Sequence, residues 1–229
     1  MGNISSINFQ PTTNKNQLSH NDRSTPPHYL LPPEKRIGIE CNRSALVAET
    51  LKNTIIENAI AKYTKSTKQK FKAKSFLWSA VVNIKETTTM QDLEKLAQHF
   101  LVKYGFQCYQ IGIHRDEGHV NNQGETIINH HAHLEFVTLD KNTGRSLFRD
   151  KVRTSKSLSI IQSEVAEILN MERGKPKNDV VNNEGVVIQK GTNLKHLSHF
   201  AYRAIKAKQN QEKEIITKEL DTAKNLFKI

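Results

Sequence analysis

The stretch from His114 to Phe136 carries five histidines, among them the run His114-Arg115-Asp116-Glu117 and the spaced pair His131-Ala132-His133. On a strand, alternate side chains share a face, so His131, His133 and Glu135 point one way. His130, Ala132, Leu134 and Phe136 point the other way, a mostly apolar set suited to packing on helices. Two imidazoles and a carboxylate are costly to bury unless they have work to do. Imidazoles at i and i+2 can share one divalent ion, and His114 supplies a third ligand if its strand pairs antiparallel with theirs. Three neutral imidazoles with open coordination positions suit Mn²⁺, Mg²⁺, Co²⁺, Ni²⁺ or Zn²⁺ and do not choose among them. An ion with such an open position acts as a Lewis acid on a substrate oxygen. A lone His-x-His pair is more often a surface or satisfied core pair; the nearby His114, Asp116 and Glu117 turn the reading to a metal.

The elements that must hold these residues are legible from periodicity. Residues 75–84, SFLWSAVVNI, are β-branched and aromatic enough for a buried strand. Thr89 and Asp92 form a capping pair before a helix with Leu93, Leu96, Phe100 and Leu101 on one face. Residues 106–114 read as the next strand and 130–139 as another, turned at 140–144 into a short strand near Ser146–Phe148. An earlier helix runs from Ser44 to about Ala61. A later one, marked by Leu158, Ile161, Val165 and Leu169, is ended by Gly174 and Pro176. A polar loop, 175–192, then leads to an amphipathic and finally highly charged helix. The fold expected is α+β, an antiparallel sheet with helices packed on its face, plus a helical C-terminal segment. Five of the six prolines lie in residues 1–36, which read as an extended arm. The expected division is an arm over 1–36, a core over 37–192 and a helical extension over 193–229. No internal repeat is evident.

Composition narrows the partners. Lys and Arg number 34 against 23 Asp and Glu, a net charge of +11 in 229 residues, which favours a polyanion, nucleic acid first and anionic membrane surface second. Lys62, Lys65, Lys68, Lys70, Lys72 and Lys74 follow one another with no acid between them; Lys151 and Arg153 add to the positive charge. The two cysteines, Cys41 and Cys108, make no CxxC pair and point to a reducing, cytoplasmic setting. No apolar run is long enough to span a bilayer, and no signal-peptide core opens the chain. The opening MGNISS matches the short N-myristoylation pattern.

His114-x-Asp116-Glu117 leading into His131-x-His133 resembles the metal motif of the MOB-V relaxases, plasmid mobilisation proteins among the HUH single-strand nucleases. His20-Asn21-Asp22-Arg23 resembles that family's N-terminal HNxR motif, and residues 166–176 are similar to the segment after its metal site. The match departs at residues 118–130, inserted between the two halves of the metal motif and read as a hairpin extension, and in lacking a proline after His133. Were the insertion to displace His114, His119 or His130 would become the third ligand.

The resemblance implies nicking of one DNA strand at an origin of transfer, with the enzyme left attached to the 5′ phosphate. In that scheme His20 is the nucleophile, Arg23 orients the phosphate and Glu117 serves as base or orienter. Asp116 sits behind the metal, hydrogen-bonded to a ligand imidazole, and His114, His131 and His133 hold the ion, Mn²⁺ foremost. Tyr29 is the rival nucleophile, since most HUH enzymes use tyrosine. Lys65, Lys68, Lys70, Lys72, Lys74, Lys151 and Arg153 are the expected DNA contacts. Partners would be single- and double-stranded DNA and accessory mobilisation or secretion-coupling proteins, in a bacterial cytoplasm. A rolling-circle replication initiator and a non-catalytic basic DNA-binding protein are the alternatives. Trp78 reads as core with base stacking as its second role, and His196 and His199 as packing or surface residues.

Overall fold

The computed structural model describes residues 4–191 except 122, 151, 177 and 183, together with 208–209, 211–213 and 215–217. It divides into two compact units, Met1–Gly174 and Lys175–Ile229. In chain order the elements of the first unit are β1 (Ile4–Pro11), α1 (Gln17–Asn21), β2 (Ile39–Cys41), α2 (Ala45–Thr67), β3 (Leu77–Asn83), α3 (Met90–Tyr104), β4 (Gln107–His114), β5 (Gly118–Val120), β6 (Thr126–Ile128), β7 (His131–Val137), α4 (Ser155–Ile168) and β8 (Glu172–Arg173).

Six strands form one sheet in the order β2-β4-β7-β3-β1-β8. All neighbours are antiparallel except β1 and β8, which pair in parallel. The sheet is therefore α+β, with β7 at its centre and buried along its whole length. Alternation along β7 separates two environments. Ala132, Leu134 and Phe136 join Trp78, Ile111 and Ile113 under α3 and α4. Burial of this kind contributes roughly 1.5–3 kcal/mol for each large apolar side chain. Val137, with Tyr109 and Leu139, instead packs beneath Leu18 of α1 and Ala48 and Ala59 of α2. Helices thus cover both faces, and the histidines look toward α1.

Local chemistry sets the helix ends. Thr89 and Asp92 exchange hydrogen bonds in a capping box, and α3 stops at Gly105 with φ +72°. Ser44 caps α2, which continues to Lys68 at φ +58°. Residues 62–67 of the lysine run are therefore helical, and the rest form an extended connection to β3.

Several expectations need correction. The segment 1–36 is not simply an arm, because β1 pairs along its length with β3 and α1 packs on the sheet. Its polar look arises because one face of β1 is solvated. The helix α4 ends at Ile168 and is capped by Leu169, followed by Asn170 in the left-handed region at φ +49°, ahead of Gly174 and Pro176. The short strand near Ser146–Phe148 is a single bridge, Leu139 to Ser146.

The second unit holds a hairpin of β9 (Val180–Val181) and β10 (Val187–Gln189) within the expected loop. Of the helix expected over 193–229, residues 208–209, 211–213 and 215–217 are described and helical; the remainder, with His196 and His199, lies outside the described residues.

A short repeat is present after all. Val120-Asn-Asn-Gln-Gly124 turns the β5–β6 hairpin, and Val181-Asn-Asn-Glu-Gly185 turns β9–β10. In each, the asparagine Oδ1 accepts two backbone amides: Gln123 and Glu125 at 3.0 and 2.8 Å, then Glu184 and Val186 at 3.0 and 2.9 Å. The glycines take φ +81° and +79°. What repeats is a rule of turn chemistry, an asparagine side chain imitating backbone ahead of a left-handed glycine.

Candidate metal centre and active site

The antiparallel register of β4 and β7 places His114 opposite His131 and Gly112 opposite His133. The three imidazoles lie on one face with ring centroids 5.1 Å (His114–His131), 4.9 Å (His114–His133) and 5.2 Å (His131–His133) apart. All three are buried. The insertion does not displace His114. It folds outward as the β5–β6 hairpin, and Asn129 N donates to Glu117 O at 2.8 Å to close its base. His119 is exposed on that hairpin, and His130 precedes the strand on the side away from the cluster.

Hydrogen bonding fixes the orientation of two of the rings. Carbonyl oxygens only accept, so His114 Nε2 donates to Asn21 O at 3.0 Å and His131 Nδ1 donates to Asn129 O at 2.9 Å. With both rings neutral, as metal ligation requires, each turns a lone pair toward the other, His114 Nδ1 facing His131 Nε2 at 3.3 Å. Two acceptors cannot bond each other; a cation between them satisfies both. His133 Nε2 is also buried with no hydrogen-bond partner among the described residues. Burial foremost, then the charge of His131, lowers the His114 pKa to about 3 and takes His133 well below its ordinary value. These are the neutral imidazoles that a divalent ion requires, and the donor set fits one.

The helix α1 brings His20 onto this cluster. Its ring lies 5.2 Å from His114 and 5.4 Å from His133, edge-on to both. Ligand atoms of His20, His114 and His133 lie within 4.8 Å of one another, as do those of His114, Glu117 and His131. His114 belongs to both groups. Arg23, in the left-handed region at φ +61°, holds the acidic pair. Its Nε and Nη2 donate to Asp116 at 2.8 Å each, and Nη2 also donates to Glu117 at 2.7 Å. Its Nη1 lies 3.2 and 3.3 Å from the two ring nitrogens of His20 and donates to the His20 carbonyl at 2.9 Å. Burial and then the Arg23 charge hold His20 below the usual histidine pKa. Burial tends to raise the Asp116 carboxyl, but the Arg23 hydrogen bonds and charge overcome it and lower the pKa.

The remaining sequence-derived residues divide. Glu117 Oε1 is 3.9 Å from His20 Nε2 and 3.7 and 3.8 Å from His114 and His131, so it faces the whole cluster. Asp116 spends its side-chain hydrogen bonds on Arg23, not on a ligand imidazole as the sequence suggested. Tyr29 lies at the rim, half-buried against His28, next to Leu30, which bridges to Glu117. Lys65, Lys68, Lys70, Lys72 and Lys74 are exposed at the end of α2 and beyond. The turn 140–145 docks on that helix, with Lys62 Nζ donating to Lys141 O at 2.6 Å, and adds Lys141 and Arg145 to the patch. Arg153 is corrected: it ion-pairs with Asp150 and stacks 4.7 Å over Trp78, on the α3/α4 face and away from the histidines. Trp78 is accordingly core. Lys151 lies outside the described residues.

Sequence reasoning set Glu135 on the histidine face but passed over its partners at the floor of the site. Glu135 and Gln110 are fully buried beneath α1, as is Asn21 at the end of that helix. A Cβ on Gly112 would meet Asn21 O at 3.0 Å and Asn21 Cβ at 3.2 Å, so a glycine there lets the helix come close. Asn21 lay inside the quoted HNxR motif, but only the register reveals what it touches.

No family model matches the chain, and no curated protein does. Solved structures do, and they define a class: the fold is that of a relaxase domain. The MobM relaxase domain (MOBV; Mob_Pre), crystallised with Mn and 23 nt of plasmid pMV158 oriT DNA at pH 6.5, is similar with a TM-score of 0.57. It is 15% identical, over 89% of this chain and 98% of that one. A second Mn-bound crystal of that domain, with 22 nt of oriT DNA at pH 5.5, is similar at 14% identity and a TM-score of 0.55, over 88% of this chain and 99% of that one.

Proposed function

We propose that the chain is a metal-dependent relaxase that nicks one DNA strand at the origin of transfer of a plasmid or mobile element and keeps the 5′ phosphate. The observation that carries this is the convergence of His20 on His114 and His133, with His131 and Glu117 grouped around the same His114. The relaxase-domain fold and the Mn-bound, oriT-bound state of the similar crystals support it. His114, His131 and His133 would hold the ion, Mn²⁺ first, with Glu117 within reach. When bound, that ion polarises the scissile phosphate and offsets charge on its oxygens.

The protein's own residues would do the rest. His20, kept neutral by burial and Arg23, presents a nitrogen lone pair to phosphorus. Its Nε2 faces Glu117 at 3.9 Å, so Nδ1 is the nitrogen that bonds phosphorus while Glu117 receives the Nε2 proton. The phosphorus–O3′ bond breaks, and the 3′ oxygen leaves with a proton from water. The product is a phosphoramidate on His20, whose bond energy is conserved for rejoining the strand. Asp116 fixes Arg23, and Arg23 fixes both Glu117 and His20. The exposed lysines from Lys65 to Lys74 would bind backbone phosphates.

A covalent adduct tests the reading. The protein is incubated with Mn²⁺ and single-stranded oligonucleotides taken from the DNA flanking its gene. A 5′ adduct lost in His20→Ala and retained in Tyr29→Phe is expected. The reverse pattern would transfer the role to Tyr29, and binding without cleavage under several metals would favour a DNA-binding accessory protein.

A further inference from the structure

Beneath the histidines lies a polar network that the chemistry above does not use. Glu135 Oε1 accepts from Ser79 Oγ at 2.7 Å and from Asn21 Nδ2 at 3.1 Å. Asn21 Nδ2 also donates to Gln110 Oε1 at 3.0 Å, and Gln110 Nε2 donates to Leu18 O at 3.2 Å and Arg43 O at 3.1 Å. Gln17 Nε2 donates to Asn21 Oδ1 at 3.0 Å and lies 3.4 Å from His133 Nδ1. A helix of five residues cannot hold itself in place, because nucleation costs more than one turn returns. The network therefore seats α1. The same helix supplies the Asn21 carbonyl that orients His114 and the Gln17 amide beside His133, and it carries His20.

We propose that Asn21, clamped by Glu135 and Gln110, is a positioning residue that couples metal affinity to the placement of His20. The His114 ring takes its orientation from the Asn21 carbonyl of α1, and His20 is carried on the same helix, so the ion site is assembled only when the helix is seated. Loosening the clamp frees the His114 ring and withdraws His20 in one movement. Residues that orient metal-ligating imidazoles typically set affinity by about 10–100-fold. The inference rests on the metal reading above, and the measurement keeps the two apart.

The test is Mn²⁺ binding to the full-length, DNA-free protein by calorimetry, with thermal melts to establish the folded fraction. Asn21→Ala keeps the backbone carbonyl but removes the clamp; it is expected to weaken Mn²⁺ binding by about tenfold or more. In the nicking assay it should lower kcat with little change in KM for the oligonucleotide. Should that variant not fold, Gln17→Ala approaches the same coupling from the half-exposed end and should weaken Mn²⁺ binding several-fold in a folded protein. Unchanged affinity in a folded variant, beside normal binding by the wild type, makes the clamp merely structural and overturns the inference. Failure of the wild type to bind Mn²⁺ overturns the metal reading and this inference with it.

Discussion

In the proposed mechanism His20 is the residue on which most of the chemistry turns, and the net effect of its surroundings is to keep it neutral. Burial and then the Arg23 guanidinium lower its pKa, and burial with the neighbouring His131 lowers those of His114 and His133. A nucleophilic or metal-ligating imidazole is active when neutral, so activity is present above the folded pKa and lost as pH falls through it. An ordinary histidine would be half protonated near pH 6.5. Adduct formation should therefore stay level from neutral pH down through that value and decline only below it. A rate profile over pH 5–8 with its midpoint at or above 6.5 would contradict this account. Arg23 cannot be exchanged for lysine without loss, because one planar fork spans both Asp116 and Glu117. Of these residues, His114, His131 and His133 were readable from spacing alone. The link between Arg23 and the acidic pair was not, since 93 residues separate Arg23 from Asp116.

At the scale of elements, β4, β7, α3 and α4 could be read because each is strongly periodic or capped. The strand β1 and the helix α1 could not. One is half-solvated and proline-flanked, and the other is five residues long. Both owe their form to partners far along the chain, β3 for the strand and the buried Gln110 and Glu135 for the helix. That dependence makes the α1–β4 contact a sensitive place. In Gly112→Ala the added methyl meets Asn21 O and Cβ at 3.0 and 3.2 Å, so α1 must yield by a few tenths of an ångström. Alanine is otherwise tolerated in a strand. The melting temperature should therefore change little, while the nicking rate falls about tenfold, as expected when reacting groups are misplaced by a fraction of an ångström. Equal losses in stability and rate would mean that the helix is not held at a critical distance.

For the whole molecule, the +11 charge was legible as a preference for polyanions, but its layout was not. The exposed lysines of α2 and the connection after it are joined by Lys141 and Arg145 through a turn whose Gly144 lies close against the helix. If this patch carries DNA, affinity should fall steeply with salt. Neutralising Lys68, Lys70 and Lys72 to glutamine should reduce the slope of log K against log salt by about two for a single strand. Anisotropy titrations across about 0.05–0.3 M salt would read it, and an unchanged slope would place the DNA elsewhere.

The hairpin between His114 and His131 has a wider meaning. Its two legs are tied together at the root, where Asn129 bonds to Glu117, and the paired strands below set the spacing of the ligands. Whatever is built above that tie does not alter the distances beneath it. The fold thus contains a port at the edge of the histidine cluster. New sequence could be tried there by lineage or by design, with the chemistry below left undisturbed.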